Sequence, residues 1–252
     1  MKLLAIDTST ASLSLAASCR VDGQTRVWLH TAPGGAQASS DLIPALLALL
    51  RQTGMTLPAL DAIAFGAGPG SFTGLRTACA VAQGLGFGAG VPLLPVDSLQ
   101  AVAEDARHTL GHAGPLQVLA LLDARMDEVY AARYAWDGAV WSRARTWTVG
   151  KPETLHLPAP GESVDPPPNA LDEATWVLAG NAFDEYGSRL LTSRPELRRV
   201  PALPTAEAML RLAPALLAAG EAVAAEHAMP RYIRDKVAQT TAERAALKAS
   251  QP

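Results

Sequence analysis

The chain has 252 residues, enough for one large domain or two ordinary ones, each able to bury a core of its own. Hydrophobic residues make up 49% and charged residues 18%, so much of the surface must be small or apolar, which favours partner contacts. With 21 basic and 24 acidic side chains, a formal net charge of −3 and no basic stripe, the composition excludes strong autonomous binding of nucleic acid, so any link to nucleic acid runs through a partner.

Lys2 leads into the apolar run Leu3-Leu4-Ala5-Ile6, which reads as a buried strand. The run is too short for a signal peptide and polar residues follow it at once. No apolar stretch approaches the roughly 20 residues that span a bilayer, so no membrane association and a soluble, cytoplasmic protein are expected. Ala11 to Ser18 and Thr25 to Leu29 read as further strands, with turns at Asp7 to Thr10 and at Asp22-Gly23, predicting an antiparallel meander. Ser40 or Asp41 can cap a helix carrying Leu42, Ile43, Leu46, Leu47, Leu49 and Leu50, with Pro44 in its first turn and an end near Gly54. Ala62 to Phe65 reads as a strand, a helix then runs to about Phe87, Val91 to Val96 returns as a strand, and Ser98 caps a third helix. Antiparallel strands followed by strand-helix-strand units predict α/β mixed sheets with helices packed on them.

Between strand and helix lies Gly66-Ala67-Gly68-Pro69-Gly70-Ser71-Phe72-Thr73-Gly74-Leu75-Arg76. Free backbone N–H groups and the helix dipole suit an anion there, and glycines suit a close backbone approach; both readings stay open. The segment is not a P-loop, since no Lys-Ser or Lys-Thr pair follows the glycines, and its spacing misses the dinucleotide fingerprint. Gly84-Leu85-Gly86-Phe87-Gly88-Ala89 sits at a helix end before a strand, the wrong context for a nucleotide loop, and reads as a helix stop. Arg76 is either an exposed arginine or the partner of an acidic group or phosphate. Asp7, Thr8 and Ser9, with Gly68, Gly70, Ser71 and Arg76, make up the candidate nucleotide or interface loop. The Asp7 to Thr10 turn lacks glycine, so an Asx-type turn is the reading and phosphate binding the alternative.

An internal echo organises the rest. Ala5 to Ala17 matches Leu121 to Arg133 in pattern, each reading strand, aspartate, polar turn, strand. Each copy opens one half of the chain, which predicts two related lobes over 1–108 and 109–240, with a frayed tail over 241–252. In the second half, strands are expected around Tyr130, Trp147 and Trp176 to Ala179, with a proline-rich loop from Pro158 to Pro168 and Asn181 capping the next helix.

His108 and His112 have the i, i+4 spacing of a helical metal pair, but Gly111 and Gly114-Pro115 break the helix and no HExxH acid accompanies them. Cys19 and Cys79 lie in apolar stretches and read as buried thiols. No metal site and no catalytic residue is assigned.

Gly68-Pro69-Gly70-Ser71-Phe72-Thr73-Gly74-Leu75-Arg76 and the opening Leu3-Leu4-Ala5-Ile6-Asp7-Thr8-Ser9 closely resemble the TsaB (YeaZ) family. So do Ile63-Ala64-Phe65-Gly66, Ala82-Gln83-Gly84-Leu85, Leu122 to Met126 with Glu128-Val129-Tyr130, and Ala225 to Ala228 leading to Pro230 and Tyr232. The resemblance implies an actin-like ASKHA fold of two related lobes. It also implies a non-catalytic scaffold that binds a TsaD-like catalytic subunit and acts with a TsaE-like ATPase. Together they form N6-threonylcarbamoyladenosine at position 37 of ANN-decoding tRNAs, from a threonylcarbamoyl-adenylate made by a separate enzyme. A homodimer in the absence of the partner, no cofactor on the chain alone, and ATP at the interface of the assembled complex belong to the same expectation. TsaD-like proteins carry a metal-binding histidine pair after the strand that follows the glycine-rich helix; here Ser98 and Val102 fall at that place. The expected partner surface is the pair of first-lobe helices, through Leu42, Ala45, Leu46, Leu49, Thr73, Gly74, Thr77, Ala78 and Val81, whose small and aliphatic side chains permit close packing. Burial of the same side chains inside the lobe is the alternative. An ATP-dependent kinase of the ASKHA class would need an adenosine-binding Gly-Gly turn, for which Ala179-Gly180-Asn181 is a poor substitute, and a metalloprotease would need the missing histidines.

Overall fold

A computed structural model of the chain describes residues 1–35, 38–142, 146–157, 175–191 and 194–234. The expected proline-rich loop and tail lie outside the described residues. The chain opens with β1 (Leu3–Asp7), β2 (Ser12–Val21) and β3 (Gln24–Pro33), paired antiparallel in sequence order. Asp22 and Gly23 both have positive φ, as a two-residue hairpin on right-twisting strands requires. Helix α1 (Ala38–Thr53) begins earlier than expected, so Ser40 and Asp41 lie within its first turn and Pro44 falls beyond it. The helix stops where Gly54 takes φ +69°. β4 (Ala62–Gly68) runs through the first glycines, α2 (Phe72–Ala89) ends at left-handed Gly90, and β5 (Leu93–Asp97) follows. The glycines of the expected helix stop therefore form the last turns of α2. Gly86 allows a close approach, since a Cβ there would sit 2.7 Å from Leu93.

Helix α3 (Ser98–Thr109) is capped by Asp97 and not by Ser98: the Asp97 carboxylate accepts from the Leu99 and Gln100 amides at 2.9 and 3.4 Å. Two adjacent residues could cap, and the one still in extended conformation does so. The second half contributes β6 (Leu116–Arg125), β7 (Glu128–Trp136), β8 (Trp141–Ser142), β9 (Thr148–Gly150), β10 (Thr175–Gly180), the short α4 (Phe183–Tyr186), β11 (Arg198–Pro201) and α5 (Ala206–Ala218).

Two mixed sheets result, with strand orders β3-β2-β1-β4-β5 and β8-β7-β6-β10-β11 among the described residues, β9 also pairing with β7. In each, a hairpin is antiparallel and the two strands beyond its first strand run parallel to it. The echo in the sequence is thus a repeat in topology. Sheet 1 is covered on one face by α1 and α2, over Leu4, Ile6, Leu13, Leu15, Ile63 and Phe65. Its other face is covered by α5, over Leu3, Ala5, Ala16, Ala62, Ala64, Leu94 and Val96. Burial on both faces explains why β1 and β4 read as unbroken apolar runs.

Helix α5 falls in the range expected to build the second lobe yet lies on sheet 1. Helix α3, from the first half, packs on sheet 2 through Leu99, Val102, Ala103 and Ala106. The crossed helices touch at buried Glu104, which accepts from Arg107, from Trp141 Nε1 at 2.9 Å and from Arg211 of α5 at 3.0 Å. Burial is the largest influence on Glu104 and raises its pKa, but these hydrogen bonds and the two guanidinium charges together hold the carboxyl below its ordinary value.

Helix α2 seats on the β1–β2 turn through glycine. A Cβ on Gly74 would fall inside the Thr8 carbonyl oxygen, and one on Gly70 would lie 2.6 Å from the Ser9 carbonyl. Gly84, in contrast, faces open space. Gly74→Ala is therefore expected to destabilise the chain by about 2–3 kcal/mol or more through forced backbone displacement. Gly84→Ala should stabilise it by about 0.5–1 kcal/mol through helix propensity. Urea midpoints of the two variants check the opposite signs.

Candidate functional site

The β1–β2 turn is an Asx turn. Asp7 Oδ1 accepts from the Ser9 amide at 3.0 Å and from the Ser9 hydroxyl at 2.9 Å, and Thr8 Oγ1 donates to the Gly74 carbonyl at 2.6 Å. Asp7, Thr8 and Ser9 are all buried. Asp7 Oδ2 has no hydrogen-bond partner among the described residues; a Cβ on Gly66 would strike it and lie 3.2 Å from the Met209 methyl. Burial pushes the Asp7 carboxyl up to about 7, against the opposing pull of the Ser9 hydrogen bonds.

The glycine-rich segment is taken up in seating this turn. The Ser71 amide donates to the Ser9 carbonyl at 2.7 Å, and Ser71 caps α2 by accepting from the Gly74 amide at 3.4 Å. The Gly68–Pro69 peptide is cis, and Gly68 has φ +115°. Of the two readings left open for these glycines, the close backbone approach is the one their contacts display. Arg76 is exposed, with its guanidinium 3.8 Å from the Phe72 ring centre and Nε donating to the Tyr232 hydroxyl at 3.1 Å.

The equivalent turn of sheet 2 carries Asp123. Its Oδ1 accepts from the Arg125 amide at 2.7 Å and the Tyr186 hydroxyl at 3.2 Å, and Oδ2 lies 3.1 Å from Arg125 Nη1. Arg125, Met126 and Asp127 all have positive φ, near 60°. Each costs on the order of 1 kcal/mol for a non-glycine residue. Arg189 binds the Asp127 carboxylate through both Nη atoms and holds the turn in place. Asn181 does not cap α4, whose N-cap is Ala182; its Oδ1 accepts instead from the Asp123 amide at 2.9 Å. Gly180 lets β10 approach β6 so closely that a Cβ there would fall inside the Leu121 carbonyl oxygen. Between the two turns lies a cleft of about 430 Å³, lined on one side by Ser9, Thr10 and Gly70 to Phe72 and on the other by Asp123 to Met126 and Asn181.

Asp97 joins the lobes. Besides capping α3 it accepts at Oδ2 from Tyr134 of β7 at 2.5 Å and from Trp147 Nε1 at 2.8 Å. Burial raises its pKa even against these four hydrogen bonds, and burial followed by the Asp97 charge pushes the Tyr134 phenol well above its ordinary value. No sequence signal pointed to this pair, because hydroxyl and carboxylate come from different lobes. Ser98 and Val102, at the place of the histidine pair, are both buried, with Val102 packed in the sheet 2 core. Among the described residues, no three His, Cys, Asp or Glu side chains gather as a metal site. Cys19 and Cys79 are free and buried.

The helices expected to meet a partner divide by face. Leu42, Leu46, Leu49 and Ala78 are buried in the lobe's own core, so these four side chains do not line an outer surface. Ala45 and Val81 are half-buried against the same core, Gly74 and Thr77 are half-buried, and Thr73 is exposed. The outward side chains that sequence reading passed over are Ile43 and Leu47 on α1, 48% and 40% exposed, and Ala80, Gly84 and Phe87 on α2, the last 79% exposed. Together with Thr73 and Thr77, the α2 residues recur every three or four positions and form one stripe. That period was available in the sequence, but both faces of α2 are small or apolar, so it could not tell inside from outside.

The family model for "TsaD: tRNA N6-adenosine threonylcarbamoyltransferase" matches residues 29–242. The chain is 35% identical to the tRNA threonylcarbamoyladenosine biosynthesis protein TsaB of Escherichia coli (strain K12), over 94% of this chain and 96% of that protein. It is 31% identical to the protein of the same name from Haemophilus influenzae, over 94% and 95%. The solved structure of YeaZ from Pseudomonas aeruginosa superposes with a TM-score of 0.75 at 36% identity, covering 92% of this chain and 99% of that one.

Buried Asp7 makes stability depend on pH with a definite sign. Its folded pKa of about 7 exceeds the ordinary 3.8, so between these values the unfolded chain releases a proton that the folded chain retains. Stability falls as pH rises through that window. Between pH 4.5 and 7.5 the native chain is expected to lose about 3 kcal/mol more than Asp7→Asn. Denaturant titrations at the two pH values check this, and equal losses would show that the carboxyl is not held neutral.

Proposed function

The chain belongs to the TsaB (YeaZ) family, and from that premise we propose that it is a non-catalytic subunit in the biosynthesis of tRNA threonylcarbamoyladenosine. In this reading it docks a TsaD-like catalytic subunit through the outer faces of α1 and α2. A TsaE-like ATPase acts on the assembly, tRNA is bound through the complex, and ATP sits at the interface of the assembled proteins. Without its partner the same face pairs two copies of the chain. The cytoplasm, where tRNA is modified, is the proposed compartment. No helix among the described residues is long and apolar enough to cross a membrane.

The observation that carries the reading is the outward apolar face: Ile43, Leu47, Ala80 and Phe87 lie exposed on two helices whose inner faces are already packed. Small residues at Ala80 and Gly84 let a second helix approach closely, while Phe87 offers a large aromatic anchor. The non-catalytic part draws on the two turn aspartates. Asp7 is buried with Oδ1 bonded to Ser9, and Asp123 is engaged by Arg125 and Tyr186, so each carboxyl serves to hold its own turn. A metal held at Ser98 and Val102 would find no ligand on valine.

The docking face gives a direct test. Leu47→Glu and Ala80→Glu each place a charge that must be desolvated on association without a prepared counter-charge, at a cost of several kcal/mol. Each should weaken binding to a TsaD-like partner at least about 100-fold while leaving the isolated chain folded, with the native circular-dichroism spectrum. Ala78→Glu, pointing into the core, should instead unfold the chain. Calorimetric titration and reconstituted tRNA threonylcarbamoylation check both. Full modification activity with the subunit omitted, or undiminished binding by both folded variants, would overturn the proposal.

A further inference from the structure

After α5 the chain crosses the molecule in a single pass, broken by one 3-10 turn at Ala225–His227. Val223 bridges Leu93 at the edge of sheet 1, and the Ala225 and Ala228 carbonyls accept from Gln83 Nε2 of α2 at 3.1 and 3.0 Å. The Arg231 amide then donates to the Ala67 carbonyl at the end of β4, at 2.6 Å. A Cβ on Gly68 would lie 2.4 Å from the Arg231 carbonyl oxygen, so this glycine is what lets the segment lie so low. Tyr232 packs on Phe72 with ring centres 5.1 Å apart and planes tilted by 38°, and its hydroxyl accepts from Arg76.

All of those contacts are to the first lobe. The next two residues contact the second: Ile233 packs against the sheet 2 core, and Arg234 donates to the Glu128 carboxylate and to Met126 Sδ at 3.3 Å. Arg231, at the other end of the crossing, already holds its guanidinium 5.8 Å from the Trp147 ring centre. Residues 231–234 thus pass from one lip of the cleft to the other and form part of its lining.

We propose that Arg231 to Arg234 is a clasp that holds the two lobes at a fixed separation across the cleft. Its first-lobe end is the Arg76–Phe72–Tyr232 cluster and its second-lobe end is the Arg234–Glu128 pair. Tyr232 is 47% exposed, and at the other end the Arg234 and Glu128 side chains are 15% and 34% exposed, so both ends border solvent and the clasp can release without unfolding either core. The core contacts that join the lobes, through Asp97 and Glu104, lie behind it and remain as a hinge. Because Phe72 opens α2 and Arg76 lies one turn on, a change at the start of that helix is felt at the cleft. The inference stands on the chain alone and does not need the docking face.

Hydrogen exchange on the full chain tests it with Tyr232→Ala, Arg234→Ala and the double variant. A clasp holds only while both ends hold, so each single variant should speed exchange about tenfold on both lips, residues 70–76 and 122–130. The double variant should add little, and the amides of α5 should stay as protected as in the native chain. Tyr232→Phe, which keeps the ring contact, should stay close to native. If each variant loosens only the lip it touches, if neither lip changes, or if α5 exchanges faster in step with the lips, the clasp is wrong.

Discussion

The contact between the first turn of α2 and the β1–β2 turn is the constraint on which the rest of the molecule depends. It is made backbone to backbone: Gly74 and Gly70 lie against the carbonyls of Thr8 and Ser9, with the Ser71 amide and the Thr8 hydroxyl bonded across the contact. No side chain larger than hydrogen fits. This seat brings Leu75, Ala78, Cys79 and Ala82 down onto sheet 1, which forces Thr73, Thr77, Ala80, Gly84 and Phe87 outward. It also puts Phe72 and Arg76 at the mouth of the cleft, where the 231–234 crossing finds them. A glycine-rich loop of this placement can cradle an anion in other proteins. Here the same glycines bring protein against protein.

The two halves repeat a topology but not a chemistry. Asp7 and Asp123 occupy equivalent ends of β1 and β6, each accepting from the amide two residues on. In the first lobe the carboxylate is buried with one oxygen unpartnered among the described residues, while in the second it is paired with an exposed arginine. The same turn therefore holds a carboxyl that stays neutral to about pH 7 in one lobe and an ion pair in the other. The two turns thus share a backbone pattern but give their carboxyls different surroundings.

Local features were legible in the sequence and long-range ones were not. The β1–β2–β3 meander, the strand-turn-helix at Gly66 to Arg76 and the hairpin echo follow from period and turn chemistry, and the sheets agree with them. Asp97 in place of Ser98 as the α3 cap turns on one residue's backbone conformation, and Asn181 was drawn from capping by the amide of Asp123, remote in sequence. Leu42, Leu46, Leu49 and Ala78 were read as a partner surface because two apolar faces on one helix give no sign of which is inside. The Arg231 to Arg234 crossing has no periodic pattern at all; only its contacts reveal it.

The crossed packing of α5 bears on how the chain is made. Sheet 1 is complete in sequence at Asp97, but α5, which covers Leu3, Ala5, Ala16, Ala62 and Ala64, begins at Ala206. During synthesis from the N-terminus, one apolar face of the finished first sheet stays uncovered while the whole second sheet is being translated. That face is alanine-rich and open to any chaperone or nascent neighbour with a hydrophobic surface until α5 arrives. Among the described residues, the last α-helix to leave the ribosome is thus the one that closes the first sheet, and neither half can mature as an independent unit ahead of the other.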